Sequence, residues 1–436
     1  MIVGKTSPMR EQVSCLRNLK TDSRPLTFSE ESRDRRTSGR VDLLAVPNYF
    51  YQPHRWPIRP LWLTLGVRFA RLTAFPFDSS SSRMILALRP RIVAALLGFF
   101  SILPAPVAAG MTPEEVKAFE GYKARAETGE AVAQYLLAYC FSRGKGVEKD
   151  KVEAAKWYRK AAEQGDADAQ FSLGNCYEYG WGLEKDEVEA VKWHRKAADQ
   201  GQVAAQRALG FSYEFGSGLA KDEVEAVKWY RKAAEQGDAD AQYSLGNCYQ
   251  NGRGVDKDEV EAVKWHRKAA DQGLAEAQFK IGVSYQNGQG LARDEVEAVK
   301  WYRRAADQGL AEAQCNLGTR YAKGEGLAKD PVEAVRWYLK AAEQGDAYAQ
   351  FSLGLCYATG QGVAKDEIEA YAYWNLSGIT YEPARKNLAI LEKKMSTDAR
   401  LIGQQRSKRL QEEIEGRLES TEEVRKTIEK GRSKGA

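Results

Sequence analysis

A period of 36 residues, repeated seven times between residues 129 and 380, limits what this chain can fold into more than any other feature. Trp157, Trp193, Trp229, Trp265, Trp301 and Trp337 mark it, and in the seventh copy Tyr373 takes the slot with Trp374 beside it. A GxG loop returns in phase, as GKGVEKD, GWGLEKD and five variants. An Ala-Gln pair does the same, first at 133–134 and last at 349–350. Matches this numerous at one spacing define a repeat architecture, in which each copy is a small supersecondary unit and the core lies between copies.

Each unit reads as two short antiparallel helices. In the second unit, helix A is expected over residues 167–179, with the repeat-invariant Ala169, Leu173, Cys176, Tyr177 and Gly180 on one stripe. Gly174 beside that stripe leaves room for a neighbouring helix. Gly180 and Gly182 supply the positive-φ geometry that ends helix A and turns the chain. Asp186 then caps helix B, and Glu189 three residues on completes a capping-box pattern that recurs from Asp150/Glu153 to Asp366/Glu369. Helix B carries Ala190, Trp193, Ala197 and Ala198 on one face and stops at Gly201. One hairpin cannot bury both faces, whereas stacked copies share a continuous core, so the expected fold is an all-α solenoid. Its ends need covers. Residues 110–128 supply an N-terminal capping helix, and 381–436 a C-terminal capping helix followed by a charged helical tail. Leu410, Ile414 and Leu418 are the clear apolar row of that tail, which either projects into solvent or holds a partner.

The unit pattern AxAQxxLGxxYxxGxGUxxDxxEAxxWxxKAAxQG closely resembles the Sel-one-like repeat, a relative of the tetratricopeptide repeat. The resemblance covers residues 129–380, and YWNLSGITYEPARKNLAILEKKM resembles the closing segment of bacterial members. It implies a right-handed superhelix that acts as an adaptor, assembling protein complexes or recognising envelope components. No catalytic residue set belongs to the repeat, and no cofactor or metal is expected. Some exported relatives carry a disulfide pair inside each repeat. This chain has one cysteine per repeat at most, so the antibiotic binding proposed for that subgroup does not carry over.

Residues 84–109, MILALRPRIVAALLGFFSILPAPVAA, have the three parts of an export signal: Arg89 and Arg91, an apolar run over 92–103, and Val107-Ala108-Ala109 before Gly110. Cleavage between Ala109 and Gly110 gives a periplasmic or secreted protein. The other reading is an uncut membrane anchor, although 12 apolar residues fall short of a bilayer span of about 20. Residues 1–83 hold 12 arginines and no period. They are either a spurious extension ahead of a true start at Met84 or a genuine disordered one, which would keep the protein in the cytoplasm. The net charge of +5 hints at nucleic acid, but residues 1–109 hold 16 basic and 7 acidic residues, leaving 49 against 53. The mildly acidic remainder gives no general grip on phosphate backbones.

Residues that might carry chemistry are few. His194 and His266 occupy the slot that holds Tyr158, Tyr230, Tyr302 and Tyr338 in other units, and read as partly exposed aromatic replacements two units apart. Cys140, Cys176, Cys248 and Cys356 share one helix-A slot with Ser212 and Ser284, and read as buried thiols, too far apart for disulfides. No CxxC or Cys/His cluster suggests zinc. The paired carboxylates are helix caps, the GxG loops are turns, and the phosphate-loop, dinucleotide and GxSxG motifs are missing.

What remains is surface. In such solenoids helix A lines the concave side, and positions off the invariant stripe vary between units. Tyr179, Trp181, Phe211 and Phe215 stand out there in units 2 and 3, either as partner anchors or as packing between adjacent units. The leading expectation is a non-catalytic scaffold that binds a protein or peptide in the cell envelope. A second reading is a peptidoglycan or glycan binder that adds the amides Asn175, Asn247 and Asn251 to the aromatics. A third, a lactam- or amide-hydrolysing enzyme, lacks a nucleophile–base pair.

Overall fold

The computed structural model describes the backbone of residues 111–432 and the side chains of residues 111–420. The expected export signal, its cleavage point and the extension over 1–83 lie outside the described residues. Among those described there are seventeen helices and no strand. Helix α1 (Pro113–Glu127) precedes seven hairpins. The first three are α2 (Ala131–Arg143) with α3 (Lys151–Glu163), α4 (Ala167–Tyr179) with α5 (Glu187–Asp199), and α6 (Val203–Phe215) with α7 (Glu223–Glu235). Next come α8 (Ala239–Asn251) with α9 (Glu259–Asp271), and α10 (Ala275–Asn287) with α11 (Glu295–Asp307). The last two are α12 (Ala311–Lys323) with α13 (Pro331–Ala342), and α14 (Ala347–Thr359) with α15 (Glu367–Ser377). Helices α16 (Glu382–Glu392) and α17 (Thr397–Arg432) close the stack. This is an all-α repeat solenoid.

The first helix of each hairpin buries one aliphatic residue completely: Leu137, Leu173, Leu209, Leu245, Ile281, Leu317 and Leu353 are all at 0–1% exposure. Each such burial contributes about 1.5–3 kcal/mol. Alanines flank them on both helices, which keeps neighbouring helices close. In repeats 2 to 7 a glycine one residue later takes the ring of the second helix, while the first repeat has Ala138 there. A Cβ at Gly174 would collide with His194, and one at Gly210 with Tyr230.

Successive hairpins are tied by a buried amide ladder. The glutamine of each Ala-Gln pair donates Nε2 to an alanine carbonyl eight residues earlier, at 3.0–3.4 Å, in all seven repeats. Its Oε1 accepts from the glutamine thirty residues on, at 2.7–2.9 Å, from Gln164 to Gln344. From Gln134 to Gln314 both halves of the amide are therefore satisfied away from water, which is what makes a buried glutamine tolerable. The GxG loops also join units. Gly218, at φ 71°, lies so close to the preceding repeat that a Cβ there would overlap the Glu187 carbonyl.

The helix caps differ in part from the expectation. Asp186 accepts from the Val188 and Glu189 amides at 3.0 Å, and its counterparts behave alike. Among the described residues the returning half of the capping box, however, forms only at Thr112/Glu115. Within the repeats the glutamate turns outward to the cation three residues on, as in Glu189–Lys192 and Glu333–Arg336. A charged partner one turn away outcompetes the backbone amide. In the seventh repeat Ala372 replaces that cation, and Glu369 pairs instead with Arg406 of α17 at 2.7 Å.

That contact is part of a second difference. Leu391 of α16 and the following Met395 cover Tyr371 and Trp374. The tail helix α17 packs as well, placing Leu410 and Ile414 among Tyr338, Tyr373 and Leu376, with Asn375 donating to the Ser407 hydroxyl at 2.8 Å. Leu418 stays 45% exposed. Two residues of the apolar row read from the sequence, Leu410 and Ile414, are thus enough to cap the last repeats.

Candidate binding surface

Four large aromatic side chains escape the interior. Tyr179 and Phe215 end α4 and α6, Phe211 lies one turn earlier, and Trp181 stands between two loop glycines. They are 56, 51, 50 and 44% exposed respectively. Phe211 and Phe215 pair at 4.5 Å between ring centroids, and Tyr179 stacks on Trp181 at 4.9 Å. Each pair belongs to a single repeat. The invariant stripe of α6, with Ala205, Leu209 and Ser212, takes the buried side and leaves the phenylalanines outward.

The three amides are placed differently from one another. The Oδ1 of Asn175 accepts from His194 Nε2 at 3.1 Å, and Asn247 accepts from His266 at 3.2 Å. Asn251 is exposed and donates to the Asn247 backbone carbonyl at 2.9 Å. Two of the three thus spend their carbonyl oxygen on the interior. The histidines themselves depart from the expectation of partial exposure. Both are only 1% exposed, because the ring lies in the notch left by Gly174 or Gly246. Burial holds His194 neutral, with its pKa lowered to about 4, and His266 lower still, to about 3, with nearby Lys280 adding to the effect.

Cys140, Cys176, Cys248, Cys315 and Cys356 are buried and free, and burial raises each thiol, Cys176 and Cys248 to about 12. Thiols held this far from ionisation are poor nucleophiles and metal ligands. Among the described residues no His, Cys, Asp or Glu group has the geometry for a metal ion. No helix of the described residues is long and apolar enough to cross a membrane. Two shallow hollows, of about 350 and 430 Å³, lie beside Trp157 and beside Ile379 and contain none of the seven candidate residues.

Sequence reasoning missed the cations beside the aromatics. Lys151 begins α3, and its Nζ lies 5.8 Å from the Trp181 ring centroid. Arg143 and Lys145 both lie over the Tyr139 ring, at 5.7 and 5.3 Å. In the next repeat the position of Lys151 is Glu187, which pairs with Lys185 and accepts from Ser217 at 2.9 Å. A position-by-position comparison of the repeats carries that signal. Helix B starts with glutamate at 187, 223, 259, 295 and 367, with proline at 331, and with lysine at 151 alone.

The geometry defines a class of protein: a helical repeat solenoid whose invariant residues build the interior and whose variable ones form a surface. The model of the Sel1 repeat matches residues 131–166, 167–202, 203–238, 239–274, 275–310, 311–346 and 347–378. The chain belongs to the Sel1 repeat family. It is similar to c5321, described as a protective antigen of uropathogenic Escherichia coli strains with an SLR fold, at 37% identity and a TM-score of 0.65. That match covers 69% of this chain but only 64% of the other protein's length. It is also similar to a Sel1 repeat protein of Oxalobacter formigenes, at 34% identity and a TM-score of 0.54, over 68% of this chain and 85% of that one. Among curated proteins none matches at a significant level. Sel1 repeat proteins typically mediate protein–protein interactions on a non-catalytic scaffold.

Proposed function

We propose that this protein is a non-catalytic scaffold that binds a protein or peptide partner through the helix-A side chains and loops of its second and third repeats. The observation that carries this reading is the pair of exposed aromatic stacks, Tyr179–Trp181 and Phe211–Phe215. Large aromatic rings cost little conformational entropy to immobilise and are frequent anchors of interfaces. A glutamine ladder that repeats in every unit supports the same reading, since it fixes the stack and leaves the surface free to change. The export-signal pattern at 84–109 supports looking for the partner in the cell envelope.

Affinity capture from cell-envelope extracts tests this, comparing the full chain with the F211A/F215A variant. One protein should be retained by the first and depleted about tenfold or more with the second. Equal retention by both would overturn the proposal, as would co-sedimentation with purified cell wall in place of a protein partner.

A further inference from the structure

We infer that the partner segment is acidic as well as apolar: its carboxylates lie against Lys145 and Lys151, and its apolar side chains against the two aromatic stacks. This rests on the scaffold reading above and names the chemistry of its ligand. At each junction between repeats the second loop glycine lies against the backbone of the residue that opens the preceding helix B, from Gly182 on Lys151 to Gly362 on Pro331. Where the junction is neutralised, the pairing is visible: Ser217 donates to Glu187, which also holds Lys185. At the first junction the glutamate is replaced by Lys151 and the serine by Trp181, and the lysine lies over the indole. A second cation, Lys145, lies over Tyr139 of the first helix A. Cations held over rings keep their charge outward while the rings remain open to apolar contact.

The occupant is a peptide and not a nucleic acid for a reason of charge. Glu178, next to Tyr179, is half-buried beside the first stack, and residues 110–436 are acidic overall, with 49 basic against 53 acidic residues. A run of phosphates would meet this acidic surface, whereas a short acidic segment need span only the first junction. Complementary charge of this kind steers encounter and fixes register.

The test is a selection of random peptides displayed on phage against the immobilised full chain, repeated with K151E, W181S and F211A/F215A. K151E and W181S each copy what another repeat of this chain carries at that position, so both should fold as the parent does. Selected peptides should show an excess of Asp and Glu beside Phe, Leu or Trp. Synthetic copies should bind K151E about tenfold more weakly, and added salt should weaken their binding to the parent. Peptides that depend on Phe211 and Phe215 but show no acidic excess, or that bind K151E unchanged, overturn this inference and leave the scaffold reading standing. Failure of any peptide to depend on the aromatics overturns both. Binding of a single-stranded oligonucleotide or of phosphatidylglycerol vesicles that K151E abolishes, without acidic peptides, reassigns the cations to phosphate and overturns the inference as well.

Discussion

Along the interior seam, Gln170, Gln206 and Gln242 repeat one bonding pattern without variation, each joined to an alanine carbonyl behind it and a glutamine ahead. At the outer junction Lys145, Trp181, Ser217 and Arg253 share one position and have four different chemistries. Both regions join one repeat to the next. The seam positions have protein on every side, so a change there strands a buried polar group or forces a backbone apart. The junction positions have water on one side, and a change there alters what the surface can bind. Fold and recognition have thus been assigned to different residues of one 36-residue unit.

The comparison breaks most severely at the glycine that serves both regions. Gly218→Ala adds a Cβ where the Glu187 carbonyl lies, at a φ of 71°. Left-handed strain and enforced separation of repeats 2 and 3 together should cost about 3–5 kcal/mol. Contacts in a solenoid run only between neighbours, so hydrogen exchange should quicken in α5 and α6 first. An unchanged urea midpoint would show that the junction is loosely held.

A smaller effect separates two versions of the seam. His194 and Tyr230 fill the same notch, against Gly174 and Gly210. His194 is lowered from 6.5 to about 4 by burial. Between those values the unfolded chain takes up a proton that the folded one refuses. Stability is therefore full above pH 6.5 and falls as pH drops towards 4, by on the order of 3 kcal/mol for this residue. H194Y copies the tyrosine of other repeats, with Glu178 placed as Glu214 is for the Tyr230 hydroxyl. Urea titrations from pH 7 to 4 should show the variant losing less stability than the parent. Parallel losses would mean that the ring is not the group being titrated.

Legibility in the sequence followed the same division. The period, helix A over 167–179 and the glycine stops were readable because backbone geometry demands specific residues there. The capping glutamates were misassigned because the motif does not record the lysine one turn on, which wins the carboxylate. His194 and His266 were expected to be partly exposed in the tyrosine slot, and only the notch opposite Gly174 and Gly246 explains their burial. The apolar row of the tail helix was legible, but the sequence left solvent and a partner open, and only the fold shows that the last repeats take up Leu410 and Ile414. The four aromatics were visible, but their exposure was not, since the sequence left packing between units equally open. Lys151 needed no structure to be found, only the question of which repeat departs from its neighbours.

The smallest effect on stability should come from the surface half of the comparison, and it is the one that separates anchors from packing. Phe211 and Phe215 are half exposed and touch each other at 4.5 Å between ring centroids. Removing both rings forfeits one aromatic pair and some partly buried area, about 1 kcal/mol in all. Residues that packed between repeats would cost several times more, because truncating a buried phenylalanine typically costs about 3–5 kcal/mol. The urea midpoint of F211A/F215A at pH 7 should therefore lie close to that of the parent. A loss as large as that of Gly218→Ala would place these rings in the interior and transfer them from the binding surface to the seam.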